Sequence, residues 1–200
     1  MQDSSRDPGV RAGKRHGPRN ASAVFEATMA MLAEHGYDRL TIEGVAARSG
    51  VNKTTIYRWW PSKDDLVAAA LTDAALLTFD VPDTGSLRGD LTALVDYIAR
   101  LLTEPPLANV AIGALGALPQ RPELSRLMRE YFDEMLAREL AIFQRAASRG
   151  ELVPGTDAET VLDLLGGALW FHTVVRPKPV DAAFVKRIVE YVLTGVLSAP

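Results

Sequence analysis

Apolar residues recur along this chain at helical spacing, and no sustained period-two alternation interrupts them. An all-α fold of about nine helices is therefore expected. The clearest case is C-terminal, where Val185, Ile188, Val189, Val192, Leu193 and Val196 stand at i, i+3, i+4, i+7, i+8 and i+11. Val24, Ala27, Met31 and Leu32 form a first stripe that stops at Gly36, which suits a left-handed C-cap. Thr41 can cap a short second helix with Ile42, Val45 and Ala46 on its inner face, and Asn52 can cap a third over residues 53–59. Pro61-Ser62 ends that helix, and Ser62 with Asp65 three residues on resembles a capping box for a fourth. Longer helices follow over residues 87–102, 107–118 (nearly all apolar, hence expected deep in a core) and from Pro122 onward. The Pro122 helix carries the stripe Leu124, Met128, Tyr131, Met135 and Ile142, and Asp157 opens another that runs to Arg176.

Composition mainly excludes. The 200 residues contain no cysteine, so disulfides, cysteine zinc sites and cysteine nucleophiles are ruled out, and a reducing cytoplasm suits the chain. The longest charge-free run, residues 105–120, is broken by prolines and too short for a membrane span, so no membrane partner is expected. The net charge of −3 looks unfavourable for nucleic acid until it is divided along the chain. Residues 1–63 carry +4 and residues 64–200 carry −7. Arg6, Arg11, Lys14, Arg15 and Arg19 lie in a Gly/Ser/Pro-rich segment, read as a flexible basic arm over residues 1–20. Such an arm is either a disordered tail or a segment that follows phosphates.

The stretch from Leu40 to Leu66 carries the functional signal. Two short helices joined by a Gly-containing turn form a helix-turn-helix, whose second helix enters the DNA major groove. Ala46 and Ala47 let helices cross closely, Gly50 supplies a positive φ, and Val51 plugs the gap between them. Ile56 and Trp60 face inward, leaving Lys53, Thr54, Tyr57 and Arg58 outward. The order His35-Gly36-Tyr37, Leu40-Thr41-Ile42, Val45-Ala46, Ser49-Gly50-Val51, Lys53-Thr54-Thr55-Ile56-Tyr57 and Trp60-Pro61-Ser62-Lys63 resembles the TetR family of bacterial transcriptional regulators. Thr54 stands where the family often has glycine, and Trp59-Trp60 where it often has His-Phe.

The resemblance implies a helix-turn-helix DNA-binding domain over residues 21–66, a connecting helix to about 78, and an effector-binding and dimerisation domain over 79–200. It implies phosphate contacts from Thr41, Thr55, Tyr57, Trp59 and Lys63, and base contacts from Lys53, Thr54 and Arg58. Thr41 is also readable as a cap alone, Trp60 as core, and Lys63 as a solvated lysine. For a small hydrophobic effector, the candidates are Tyr97, Leu101, Met128, Tyr131, Met135, Trp170, Phe171 and His172, with Ile98, Ile112, Leu115 and Phe132 beside them. For each of these, ordinary core packing is the competing reading. The last two helices resemble the family's dimer pair, with Leu165, Gly166, Leu169, Val185, Ile188, Val192 and Val196 at the interface and Gly166-Gly167 permitting close approach. The functional expectation is a homodimeric repressor released from a palindromic double-stranded operator by its effector. Neither a cofactor nor a metal is expected. Three scattered histidines (His16, His35, His172) and the lack of a P-loop, G-x-S-x-G or dinucleotide fingerprint argue against an enzyme. A protein-binding helical adaptor is a third reading.

Overall fold

The computed structural model describes residues 20–73 and 80–196, the side chains of residues 195 and 196 excepted. Residues 1–19 of the expected basic arm, the end of the expected connecting helix and the side chain of Val196 lie outside them. Among the described residues the chain forms nine α-helices and no sheet. They are α1 (Ala21–Arg39), α2 (Ile42–Ser49), α3 (Lys53–Trp59), α4 (Lys63–Asp73), α5 (Leu87–Thr103), α6 (Leu107–Ala117), α7 (Pro122–Ser148), α8 (Ala158–Trp170) and α9 (Ala182–Val196). A 3₁₀ turn, Leu118–Gln120, joins α6 to α7, and a π-helical turn, Phe171–Val175, extends α8. No single described helix is long and apolar enough to cross a membrane.

The expected caps form. Thr41 Oγ1 accepts from the Gly44 N–H at 3.1 Å, and Asn52 Oδ1 accepts from the Thr54 N–H at 2.8 Å. Ser62 Oγ accepts from the Asp65 N–H at 3.1 Å while Asp65 Oδ2 accepts from the Ser62 N–H at 3.1 Å, a reciprocal box at the head of α4. Gly36 differs from the expected C-cap. Its φ of 72° is positive, but its ψ of 177° is extended, a conformation open essentially to glycine. The chain kinks there and resumes a helical turn to Arg39.

Two apolar cores form. The first joins α1–α4 (Val24, Leu32, Val45, Ile56, Leu66) and also takes in Val110 and Ala114 of α6 and Leu124 and Met128 of α7. The second joins Leu91, Leu94, Ile142, Phe143, Leu165, Leu169, Val189 and Leu193 of α5, α7, α8 and α9. Helix α6 is therefore not wholly deep, as its composition suggested. It buries Ala108, Val110, Ala111 and Ala114 between α1 and α5, while Asn109 and Gly116 remain exposed.

Two buried carboxylates interrupt these cores. Asp90 is fully buried, accepts from the Thr84 N–H at 2.6 Å and the Thr84 hydroxyl at 2.7 Å, and faces Arg145 and Arg149 at 3.7 and 3.9 Å. It thereby fastens the segment before α5 to the end of α7. Glu139 on α7 is only 8% exposed, and burial pushes its carboxyl up to about 7, with Arg138 opposing the shift. The folded state thus holds the Glu139 proton more tightly than the unfolded chain does. Its contribution to stability is therefore lost as pH rises from about 4.5 through 7. Glu139→Gln should remove this dependence, stabilising the protein by about 1–3 kcal/mol at pH 8 and little at pH 5. Urea unfolding at both pH values checks this; parallel pH profiles for the two proteins would contradict it.

Candidate nucleic-acid interface

The turn between α2 and α3 is built as a helix-turn-helix requires. Gly50 adopts a left-handed conformation (φ 70°, ψ 10°), Val51 is buried beneath it, and Asn52 starts α3 at once. Of the two alanines expected at the helix crossing, Ala46 is half-buried but Ala47 is exposed. The close approach is at Gly44 instead, where an added Cβ would stand 2.6 Å from Met31 Cε of α1. The sequence offers no periodic cue for that contact, because it depends on the angle between α1 and α2.

Ile56 and Trp60 anchor α3 from beneath, with Trp60 tilted against Phe25 of α1 at a ring separation of 5.1 Å. The rest of the α3 surface carries Lys53, Thr54, Tyr57, Arg58 and Trp59 in solvent, with Thr55 half-buried. Tyr57 and Trp59 are 41% and 40% exposed, large rings that the core does not use. Thr41 is exposed at the start of α2, so its hydroxyl caps the helix from a solvent-facing position. Of these seven residues all but the half-buried Thr55 are exposed.

Lys63 behaves differently from that set. Its ammonium donates to the Tyr37 carbonyl oxygen at 3.0 Å and lies 4.2 Å from the centre of the Tyr37 ring. Burial, and then Arg121, lowers its pKa below the usual lysine range. Tyr37 is itself buried, and its hydroxyl donates to Asp64. Arg121, just before α7, sits 5.1 Å from the same ring and pairs with Asp38 at 3.0 Å. Burial raises the Asp64 pKa against the opposing pull of Arg121. Lys63 is thus engaged in a clasp joining α1, α4 and the head of α7. Nothing in the spacing of Lys63 within the sequence indicated this partner.

The effector candidates separate into three places. Leu101 and Met128 meet Leu71, Ala114, Leu115 and Phe132 around an apolar cavity of about 40 Å³ between α4, α5, α6 and α7. Tyr131 lines a different groove, with Thr72 of α4 and Glu130, Glu134 and Arg138 of α7. Tyr97 and Met135 are half-buried, and burial raises the pKa values of both Tyr97 and Tyr131. Trp170, Phe171 and His172 end α8 instead. His172 stacks on Phe184 at 3.9 Å and lies 3.2 Å from the Pro179 carbonyl oxygen, so it serves the α8–α9 connection and is not grouped with Tyr97 and Tyr131. Helical periodicity cannot distinguish these destinations, since every candidate lies on an apolar stripe.

The expected dimer set also needs correction. Leu165, Leu169 and Val185 are buried in the chain's own core, whereas the space around Gly166 and Gly167 is open within the chain, which leaves room for the expected close approach of a partner helix. Ile188 and Val192 lie on the outer side, in a groove shared with Leu164, Ala168 and Tyr191. Leu164 and Tyr191 are 57% and 72% exposed, and Phe171 and Val175 continue the apolar face along α8. The stripe of α9 is wide because it has two sides: one turned inward, one outward.

Comparison with known proteins agrees with this architecture. Residues 24–70 match the family described as bacterial regulatory proteins, tetR family, and residues 81–192 match a tetracyclin repressor-like C-terminal domain. A helix-turn-helix-type transcriptional regulator of Mycobacterium tuberculosis is 35% identical over 176 residues, covering 88% of this chain and 86% of the relative. A protein of Mycobacteroides abscessus described as a DNA-binding transcriptional repressor is 33% identical over 180 residues, covering 88% and 93%. The crystal structure of a TetR-family transcription regulator superposes with a TM-score of 0.71 at 32% identity, covering 92% of this chain and all of that one. On its sequence, its helix-turn-helix and its helical C-terminal half, the chain belongs to the TetR family of bacterial transcriptional regulators.

Proposed function

We propose that this regulator is a homodimeric repressor that holds a palindromic operator and leaves it when a small apolar effector enters the sensor half. The exposed face of α3 carries the DNA part of this reading. Tyr57 and Trp59 stand in solvent beside Lys53 and Arg58, an arrangement with no use in the core and a clear use along phosphates and base edges. The M. abscessus relative, described as a repressor, supports the sign of regulation. Such a protein works beside the chromosome in the cytoplasm, and its activity is binding rather than catalysis.

Pairing is supported by the outer apolar face of α8 and α9, since patches of this kind mark association surfaces. A two-fold dimer presents two α3 helices to two half-sites, matching a palindrome. For the effector, the Leu101–Met128 cavity at about 40 Å³ is far below the ~300 Å³ of an ordinary ligand pocket. A ligand can occupy it only by parting its walls. One wall is Leu71 of α4, the helix that continues from the DNA-binding head. An effector favouring the parted state would therefore favour a different head position, whereas equal binding to both states would shift nothing.

Fluorescence anisotropy with DNA flanking the coding gene tests the operator reading. Affinity should fall on the order of 10³-fold between 50 and 200 mM salt. Tyr57→Ala should weaken binding about tenfold across operator variants, as loss of a backbone contact does. A salt-independent titration, or full affinity in Tyr57→Ala, would overturn it. For the dimer, Leu164→Asp combined with Tyr191→Asp should halve the sedimentation mass without loss of helix content, because both side chains are exposed within one chain. An unchanged mass would contradict the α8–α9 interface.

A further inference from the structure

We propose that the groove between α1 and the start of α6 is a second small-molecule site, separate from the sensor cavity, and that it takes an organic cation with an apolar body. The groove is already open. It encloses about 630 Å³, against about 40 Å³ for the cavity around Met128, and so lies within the ordinary range for ligand sites. Phe25, Met29 and Ala33 of α1 form one apolar wall, and Leu107 and Val110 of α6 form the other.

The charged groups among its described lining residues are all carboxylates: Glu26, Glu34 and Asp73. Glu34 is engaged by Arg48, which donates to both of its oxygens at 2.7 Å, so Glu26 is the principal charge offered to an occupant. The exposed Glu26 carboxylate disfavours an anion and gives a neutral ligand no electrostatic gain, whereas a cation fits both the apolar walls and this charge. The half-buried Phe25 ring adds a π face for the same charge. Two other grooves of similar size among the described residues differ. The one on α8 and α9 has the character of a subunit interface, and the one between α4 and α7 includes Arg138 in its lining.

The position gives occupancy a consequence. A ligand here touches α1 of the head and α6 of the sensor together. Phe25 also contacts Trp60, which ends the recognition helix. The site goes beyond the operator reading and is testable without DNA.

The probes are tetraphenylphosphonium and its isosteric anion tetraphenylborate, titrated calorimetrically into the full chain. The phosphonium should bind once per chain and the borate at least tenfold more weakly. Ala33→Trp, which fills the groove from its α1 wall, should reduce phosphonium affinity at least tenfold, and Glu26→Gln several-fold. Glu134→Gln, in the α4–α7 groove, should leave affinity unchanged. No phosphonium binding, equal binding of the two ions, insensitivity to both α1 variants, or an equal loss in Glu134→Gln would each overturn the proposal. Glu26→Gln, an exposed substitution, keeps the test decisive if Ala33→Trp perturbs folding. Because DNA is absent, failure here leaves the operator reading intact.

Discussion

The DNA-binding head does not close its own core. The four helices α1–α4 span little more than fifty residues, a size at which a domain buries only a marginal share of its surface. The apolar interior of α1–α4 is completed by Val110 and Ala114 of α6 and by Leu124 and Met128 of α7. Head and sensor therefore share side chains across their boundary. Val110 and Ala114 of α6 and Met128 of α7 also line the small cavity beside Leu71, so the shared core and that cavity have walls in common.

The polar clasp on Tyr37 makes the same junction specific in angle. Apolar packing alone tolerates sliding, whereas a ring approached by Lys63 at 4.2 Å and Arg121 at 5.1 Å, with its hydroxyl on Asp64, fixes direction. Arg121 also reaches Asp38, so the turn leading into α7 is tied to the end of α1. Gly36 lets the chain kink just before Tyr37, and Gly113 of α6 lies opposite that kink. The small sensor cavity lies close by, with Leu71 of α4 and Met128 of α7 in its wall. Leu71 and Met128 are also part of the shared core.

Much of the head was legible in the sequence because its signals are local. Thr41, Asn52 and Ser62 cap the helices they precede, Gly50 takes its left-handed turn, and Ile56 and Trp60 bury as their spacing implies. What was not legible depends on long-range geometry. The contact of Lys63 with Tyr37 was not legible because the two residues stand 26 positions apart. Leu165, Leu169 and Val185 looked like interface because a stripe records apolarity and not which neighbour covers it. His172 looked like a polar handle among aromatics until α9 placed Phe184 against it.

The shared core is tested most directly by amide hydrogen exchange on Met128→Ala. Met128 is buried among residues of the head although it belongs to α7. If the core is shared, shortening this side chain should speed exchange in α1 and α4 as well as in α7, while leaving α8 and α9 close to the unaltered protein. Faster exchange confined to α5–α9, with α1 and α4 unchanged, would show that the head stands on its own core and would contradict the account.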